Sequence, residues 1–243
     1  MAPPRSLEQS VHELVVANRI LAAQGVVDAY GHVSVRHPLR GDRYLLARSC
    51  SPELVEAKDI LEFTLDGRPP AENGPAPYVE RFIHGAVYEA RSEIQAVVHS
   101  HAVEVLPFTI SRVPLRPVIH VASDMGGHVP VWDIRERFGD TTLLVSDLEQ
   151  GRDLVRSLGQ GGAVLMRGHG FTVAGRTIFE AVKTAVYLPQ NAQVLKEALL
   201  LGGEVKVLSP GEIELRARVD PHSPQVQRAW EYWARRAGVR PYL

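Results

Sequence analysis

The chain is short of cysteine, of long apolar runs and of excess charge, and each shortage removes a class of function. A lone cysteine, Cys50, among 243 residues rules out an internal disulfide and suits a reducing compartment. No stretch approaches the roughly 20 apolar residues that span a bilayer, and the opening MAPPRSLEQS lacks the apolar core of a secretion signal, so the expected location is the cytoplasm with no membrane partner. Lysine and arginine total 27 against 28 acidic residues, net −1, without a basic block or interleaved aromatics, so nucleic acid is not an expected partner. Nucleotide loops are missing too: GQGGA at 159–163 does not match the glycine fingerprint of dinucleotide binders, and no Gly-Lys-Ser or Gly-Lys-Thr is present. What remains is 45% hydrophobic, enough for a substantial core, and carries ten histidines.

One domain over residues 1–243 is expected, ending in a helical tail at about 223–243. From Ser6 a Ser-x-x-Gln capping box opens an amphipathic helix with Leu7, Val11, Leu14, Val15, Leu21 and Ala22 on one face, stopping at Gly25. YGHVSVRHP, DRYLLARS and LEFTLDGRPP read as short strands, with Asp66-Gly67 as a hairpin turn, and GRPPAENGPAPY as an ordered loop. A helix from about Tyr78 to Arg91 should bury Val79, Ile83, Ala86, Val87 and Ala90 before the strand EIQAVVHSHA. RDLVRSLGQ is helical, GGAVLMRGHGFTVAG is two strands meeting at a Gly-His-Gly turn, and a long helix follows in which Pro189 predicts a kink or break. Strands joined by short turns favour a mixed or antiparallel sheet flanked by helices.

Within VVHSHAVE, residues i and i+2 of an extended strand share a side, so His99 and His101 present two imidazoles to one point. That begins a metal site, although one histidine capping the strand and one in solvent is an equally open reading. Glu80 in the first turn of the preceding helix and His169 at the strand junction add a carboxylate and a third imidazole. Three histidines leave a divalent metal room for water or substrate, the pattern of a catalytic site. Alone, Glu80 is also a favourable helix N-terminal acid, and His169 also a turn histidine.

Together these segments resemble the class II aldolase/adducin family over roughly residues 8 to 205: the first helix, YGHVSVR, a glutamate followed 19 residues later by His-x-His, and the late RGHG. The resemblance implies an α/β fold, a three-layer α/β/α sandwich with a central, mostly antiparallel mixed sheet. It also implies one divalent metal ion per subunit (zinc, manganese or iron) held by His99, His101 and His169, with Glu80 as acid/base and further ligand, and a homotetramer with sites near subunit interfaces. Members acting on sugar phosphates hold the phosphate through an Asn and through Ser-Gly and Ser-Ser pairs; here those positions read His32, Ser49 and Ser51 without glycine, and Tyr78-Val79. A phosphorylated substrate is disfavoured, because a phosphate dianion would lose the hydrogen bonds that replace its water.

His32 and the tail RAWEYWARRAG look most like the branch that decarboxylates hydroxylated aromatic or heteroaromatic dicarboxylates, such as 3,4-dihydroxyphthalate and 3-hydroxy-2-methylpyridine-4,5-dicarboxylate. The expected function is therefore a metal-dependent carbon–carbon lyase in aromatic catabolism. The alternatives are a retro-aldolase on a non-phosphorylated hydroxy-carbonyl compound and an iron-dependent oxygenase on the same scaffold. Besides Glu80, His32 and His120 are candidate catalytic residues. Arg36 and Arg48, which can pair with a carboxylate through two parallel bonds, Ser49 and Tyr242 are candidate substrate contacts. His84, one turn from Glu80, is expected to be buried or to support a ligand.

Overall fold

The computed structural model describes residues 5–71, 73–217, 220 and 223–242; Glu72 of the expected loop and Leu243 of the expected tail lie outside them. Seven strands form one sheet: β1 (His32–Arg36), β2 (Arg43–Ala47), β3 (Ile60–Thr64), β4 (Ala96–Ser100), β5 (Val131–Trp132), β6 (Ala163–Met166) and β7 (Gly170–Gly175), in the order β3-β2-β1-β4-β7-β6-β5. Every pairing is antiparallel except β5 with β6. Around it lie α1 (Leu7–Ala23), α2 (Arg81–Ala90), the single turns α3 (Leu106–Thr109) and α4 (Arg135–Phe138), then α5 (Leu148–Leu158), α6 (Ile178–Leu201), α7 (Pro210–Ala217) and α8 (Pro224–Arg236). None of these helices is long and apolar enough to cross a membrane.

Period-two alternation along the strands divides the core in two. Val33, Val35, Leu45, Ala96, Val98 and Val173 pack toward α1, α6 and the Trp230 and Trp233 rings of α8. Tyr44, Leu46, Val97, Val164 and Ala174 pack toward Ile83 and Val87 of α2 and Leu154 of α5. The result is the expected three-layer α/β/α sandwich. By the same alternation His32, Ser34 and His99 take the α2 side, and the register sets His32 opposite His99.

Local expectations hold where hydrogen bonding is local. Ser6 Oγ accepts from Gln9 N–H at 3.1 Å while Ser6 N–H donates to Gln9 Oε1 at 2.9 Å, the reciprocal cap that starts α1. Four expectations fail. Leu7, at the open end of α1, is exposed. The Asp66-Gly67 turn forms but leads into loop: β3 is the sheet edge, and among the described residues no strand returns beside it. Helix α2 begins at Arg81, leaving Val79 before it and Ala90 at its end outside the core. Of the kink or break expected at Pro189, the break does not occur: α6 is one helix through Pro189, which is buried along with Leu188, Asn191 and Ala192, so packing outweighs one missing N–H.

Gly170 starts β7 where the chain passes closest to β4: a Cβ there would lie 2.0 Å from the Ser100 carbonyl oxygen and 3.0 Å from His101 Cα. Gly170→Ala is therefore expected to destabilise the fold by about 2–3 kcal/mol and to weaken metal binding, since the strands must part between His101 and His169. Chemical denaturation with metal titration checks this; wild-type values for both would refute it.

Candidate metal centre

Three elements converge on one point. Glu80 immediately precedes α2, His99 is the last residue but one of β4 with His101 just beyond the strand, and His169 occupies the β6–β7 turn. One ligand atom from each of the four lies within 4.8 Å of all the others. His101 Nε2 is 2.9 Å from His99 Nε2 and 3.0 Å from His169 Nε2. Glu80 Oε2 is 3.3 Å from His99 Nε2, 3.5 Å from His169 Nε2 and 3.9 Å from His101 Nε2.

Backbone groups aim these donors. His99 Nδ1–H donates to the Phe171 carbonyl at 3.1 Å and His169 Nδ1–H to the Leu143 carbonyl at 2.9 Å. A carbonyl only accepts, so each Nδ1 carries the proton and each neutral ring turns its Nε2 lone pair inward. Lone pairs about 3 Å apart repel one another unless a cation lies between them, and tetrahedral nitrogen ligands on a divalent ion stand roughly 3.3 Å apart. The donor set therefore fits one divalent metal ion. Leu143 holds its carbonyl in place at φ 66°, an uncommon conformation for a non-glycine residue. Glu80 Oε1 accepts from Val145 N–H at 3.0 Å, leaving Oε2 for the cluster.

Burial opposes the charge on Glu80, which is 6% exposed, but the positive charge and N–H that His99 and His169 present when Nε2 takes a proton in place of the metal outweigh it and hold the carboxyl well below its usual range. Burial first, then the charges of His99 and His169, lowers His101 to about 4. His101 is the open side of the cluster and borders a hollow of about 130 Å³ shared with Asp28 and Tyr30.

Beside the ligands His32 is 4% exposed, its ring centroid 5.1 Å from that of His99 and 4.6 Å from that of Tyr78. His84 is buried beneath it, as expected, and burial together with the charge of His99 lowers it to about 3. An unfolded histidine titrates near 6.5, so between those values the unfolded chain binds a proton that the folded chain excludes, and stability falls as pH drops through this window. Above it His84 contributes no pH dependence. Unfolding of metal-free protein at pH 7 and pH 5 is expected to show a smaller loss for His84→Gln than for wild type; equal losses would sink the assignment.

The other expected contacts fare differently. Arg36 is not available to a substrate: it donates to the carbonyls of Ile94, Gly41, Tyr88 and Arg91 at 2.8–3.0 Å and lies over the Tyr88 ring, bracing the far end of β1. Arg48 is half committed, its Nε paired with Asp59 at 2.7 Å, and Ser49 is exposed beside it. His120 sits away from its own chain's cluster, in a cavity of about 570 Å³ with Lys183, Tyr187 and Trp233. Tyr242 lies near Arg5, Glu13 and Trp230, again away from the cluster. Both are carried on the α1/α6 side of the sheet, the side opposite α2. The residues that sequence reading missed are Leu143, Val145 and Phe171, which act through backbone atoms, and Ser34 and Tyr88, whose i+2 spacing from His32 and i+4 spacing from His84 carried a usable signal.

Three imidazoles and one carboxylate at the ends of the central strands of an α/β/α sheet, with a side left open, define a mononuclear metal enzyme. The profile of the Class II Aldolase and Adducin N-terminal domain matches residues 12–195. Decarboxylase tropJ of Talaromyces stipitatus is 35% identical over 93% of this chain and 92% of its own length. A 3,4-dihydroxyphthalate decarboxylase of Arthrobacter keyseri is 29% identical over 82% of this chain and 83% of its own. An aldolase II superfamily protein from Pseudomonas syringae shares the fold with a TM-score of 0.78 at 22% identity, covering 97% of this chain and 94% of that one. The chain belongs to the class II aldolase/adducin family.

Proposed function

We propose that this protein is a divalent-metal-dependent decarboxylase of a hydroxylated aromatic or heteroaromatic dicarboxylate. The carrying observation is the site itself: three inward-facing Nε2 atoms and the Glu80 carboxylate, bordered by the buried ring of His32. Relatives named as decarboxylases, over most of their lengths, support the same choice. A bound divalent ion supplies Lewis-acid stabilisation for a phenolic oxygen and its ortho carboxylate. Glu80, ionised at rest, takes the phenolic proton as substrate binds. It returns that proton to the ring carbon as the carboxylate leaves as carbon dioxide, and the product phenolate takes one proton from solvent as it is released, the proton that exchanging a carboxylate for hydrogen consumes. His32 faces the substrate as a hydrogen-bond donor, and Arg48 with Ser49 are the remaining candidates for the second carboxylate. Zinc, manganese or iron fits the donors. A homotetramer is the matching assembly, since His120 and Tyr242 have a catalytic part only if they reach the cluster of another copy.

The test is carbon dioxide release by protein loaded in turn with zinc, manganese and ferrous iron, from 3,4-dihydroxyphthalate and a panel of ortho-hydroxy aromatic dicarboxylates. Metal-dependent release is the expected result. No release with metal bound would overturn the reading; a carbonyl fragment without carbon dioxide would mark a retro-aldolase, and oxygen consumption with ferrous iron an oxygenase.

A further inference from the structure

Behind His32 the sheet and α2 enclose three more polar side chains that continue it into a row, none of them among the four metal ligands. His32 Nδ1 meets His84 Nε2 at 2.6 Å, His84 Nδ1 meets Ser34 Oγ at 2.6 Å, and Ser34 Oγ meets the Tyr88 hydroxyl at 2.8 Å. Ser34 and His84 are fully buried and Tyr88 is 1% exposed, so these groups satisfy one another without bulk water.

The closed end sets the direction of every proton. The Tyr88 hydroxyl is that end. Its own hydrogen has Ser34 Oγ as the one acceptor in reach among the described residues. Tyr88 therefore donates to Ser34, and Ser34 donates to His84 Nδ1. His84 keeps its proton on Nε2 and donates it to His32 Nδ1. His32 is left with its proton on Nε2, the free end of the row. Reversing the row would strand the Tyr88 hydrogen without a partner in a buried site, which costs the desolvation of that group. With Nδ1 accepting from His84 and the single ring proton on Nε2, the His32 ring carries no charge while it donates.

We propose that Ser34, His84 and Tyr88 are positioning residues whose hydrogen-bonded row holds His32 as the Nε2–H tautomer, a neutral donor for a carboxylate oxygen of the substrate. The identity of that oxygen rests on the decarboxylase reading; the tautomer does not. A neutral donor orients a carboxylate without the ion pair that would stabilise its charged ground state and oppose its departure. Neutral imidazole as an electrophilic donor has a known precedent in the catalytic histidine of triosephosphate isomerase.

The experiment is ¹⁵N NMR of ring-labelled histidine in the zinc-loaded protein, with His32 assigned by its loss in His32→Gln, alongside calorimetric binding of phthalate as an unreactive dicarboxylate probe. In wild type His32 Nε2 should read as protonated. Tyr88→Phe and Ser34→Ala should turn that signal into a mixture of tautomers and weaken phthalate about 10-fold, with zinc content unchanged. His84→Gln, whose amide still donates to His32 Nδ1, should keep the Nε2–H signal that His84→Leu loses, which supplies the contrast if Tyr88→Phe does not fold. An unprotonated His32 Nε2 in wild type, or variants that leave both spectrum and affinity unchanged, would overturn the proposal. If His32 Nε2–H is present but no dicarboxylate releases carbon dioxide, the decarboxylase reading falls and the tautomer stands.

Discussion

His169→Ala is expected to empty the metal centre and to lower turnover by roughly 10³-fold or more, the equivalent of about 4 kcal/mol of transition-state stabilisation. His169 is the ligand contributed from beyond β4 and α2. Without it His99 and His101 bind from adjacent positions at one side, and only Glu80 opposes them. The side chain is 8% exposed and its Nδ1–H is fixed on the Leu143 carbonyl, so the wild-type ring waits in its binding orientation. Alanine removes both the donor and that preorganisation. Metal analysis after dialysis, with circular dichroism to confirm folding, reads the effect. Stoichiometric metal in a folded variant would show that the ligand set is wrong.

Glu80→Gln should separate two roles that the wild-type carboxylate combines. The amide oxygen can still accept from Val145 N–H, now 3.0 Å from Oε1, so the side chain stays tethered to that segment. What is lost is the negative charge facing three imidazoles and the capacity to take and return a proton. Turnover should fall by about 10²–10⁴-fold, while metal binding weakens but saturates at higher ion concentration. Full turnover in metal-saturated Glu80→Gln would remove the acid/base role and leave Glu80 as a ligand alone.

The candidate site was legible because metal chemistry restricts which side chains take part. Imidazoles at i and i+2, a carboxylate 19 residues earlier and a histidine between two strands are all visible in one dimension. Their second partners were not. The carbonyls of Leu143 and Phe171 and the amide of Val145 belong to the backbone, which every residue carries, so no letter marks them. Arg36 shows the converse: its charge suggested a carboxylate partner, yet its donors lie among the carbonyls that end α2 and border β4, and they are used there. A break at Pro189 and a hairpin at Asp66-Gly67 did not form for a related reason, since local preference was outweighed by where α6 and β3 lie in the assembled sandwich.

By itself the sequence determined the amphipathic first helix with its cap, the alternation that places successive strand residues on opposite faces, and the kinds of donor available for a metal. These depend on local geometry and on side-chain chemistry. Only the tertiary structure decided that His32 lies beside His99, that His84 and Tyr88 of α2 close a buried row through Ser34, and that His120 and Tyr242 fall outside their own chain's cluster. Those relations arise from strand register and from which helix covers which face, terms of packing that act between residues far apart in the chain.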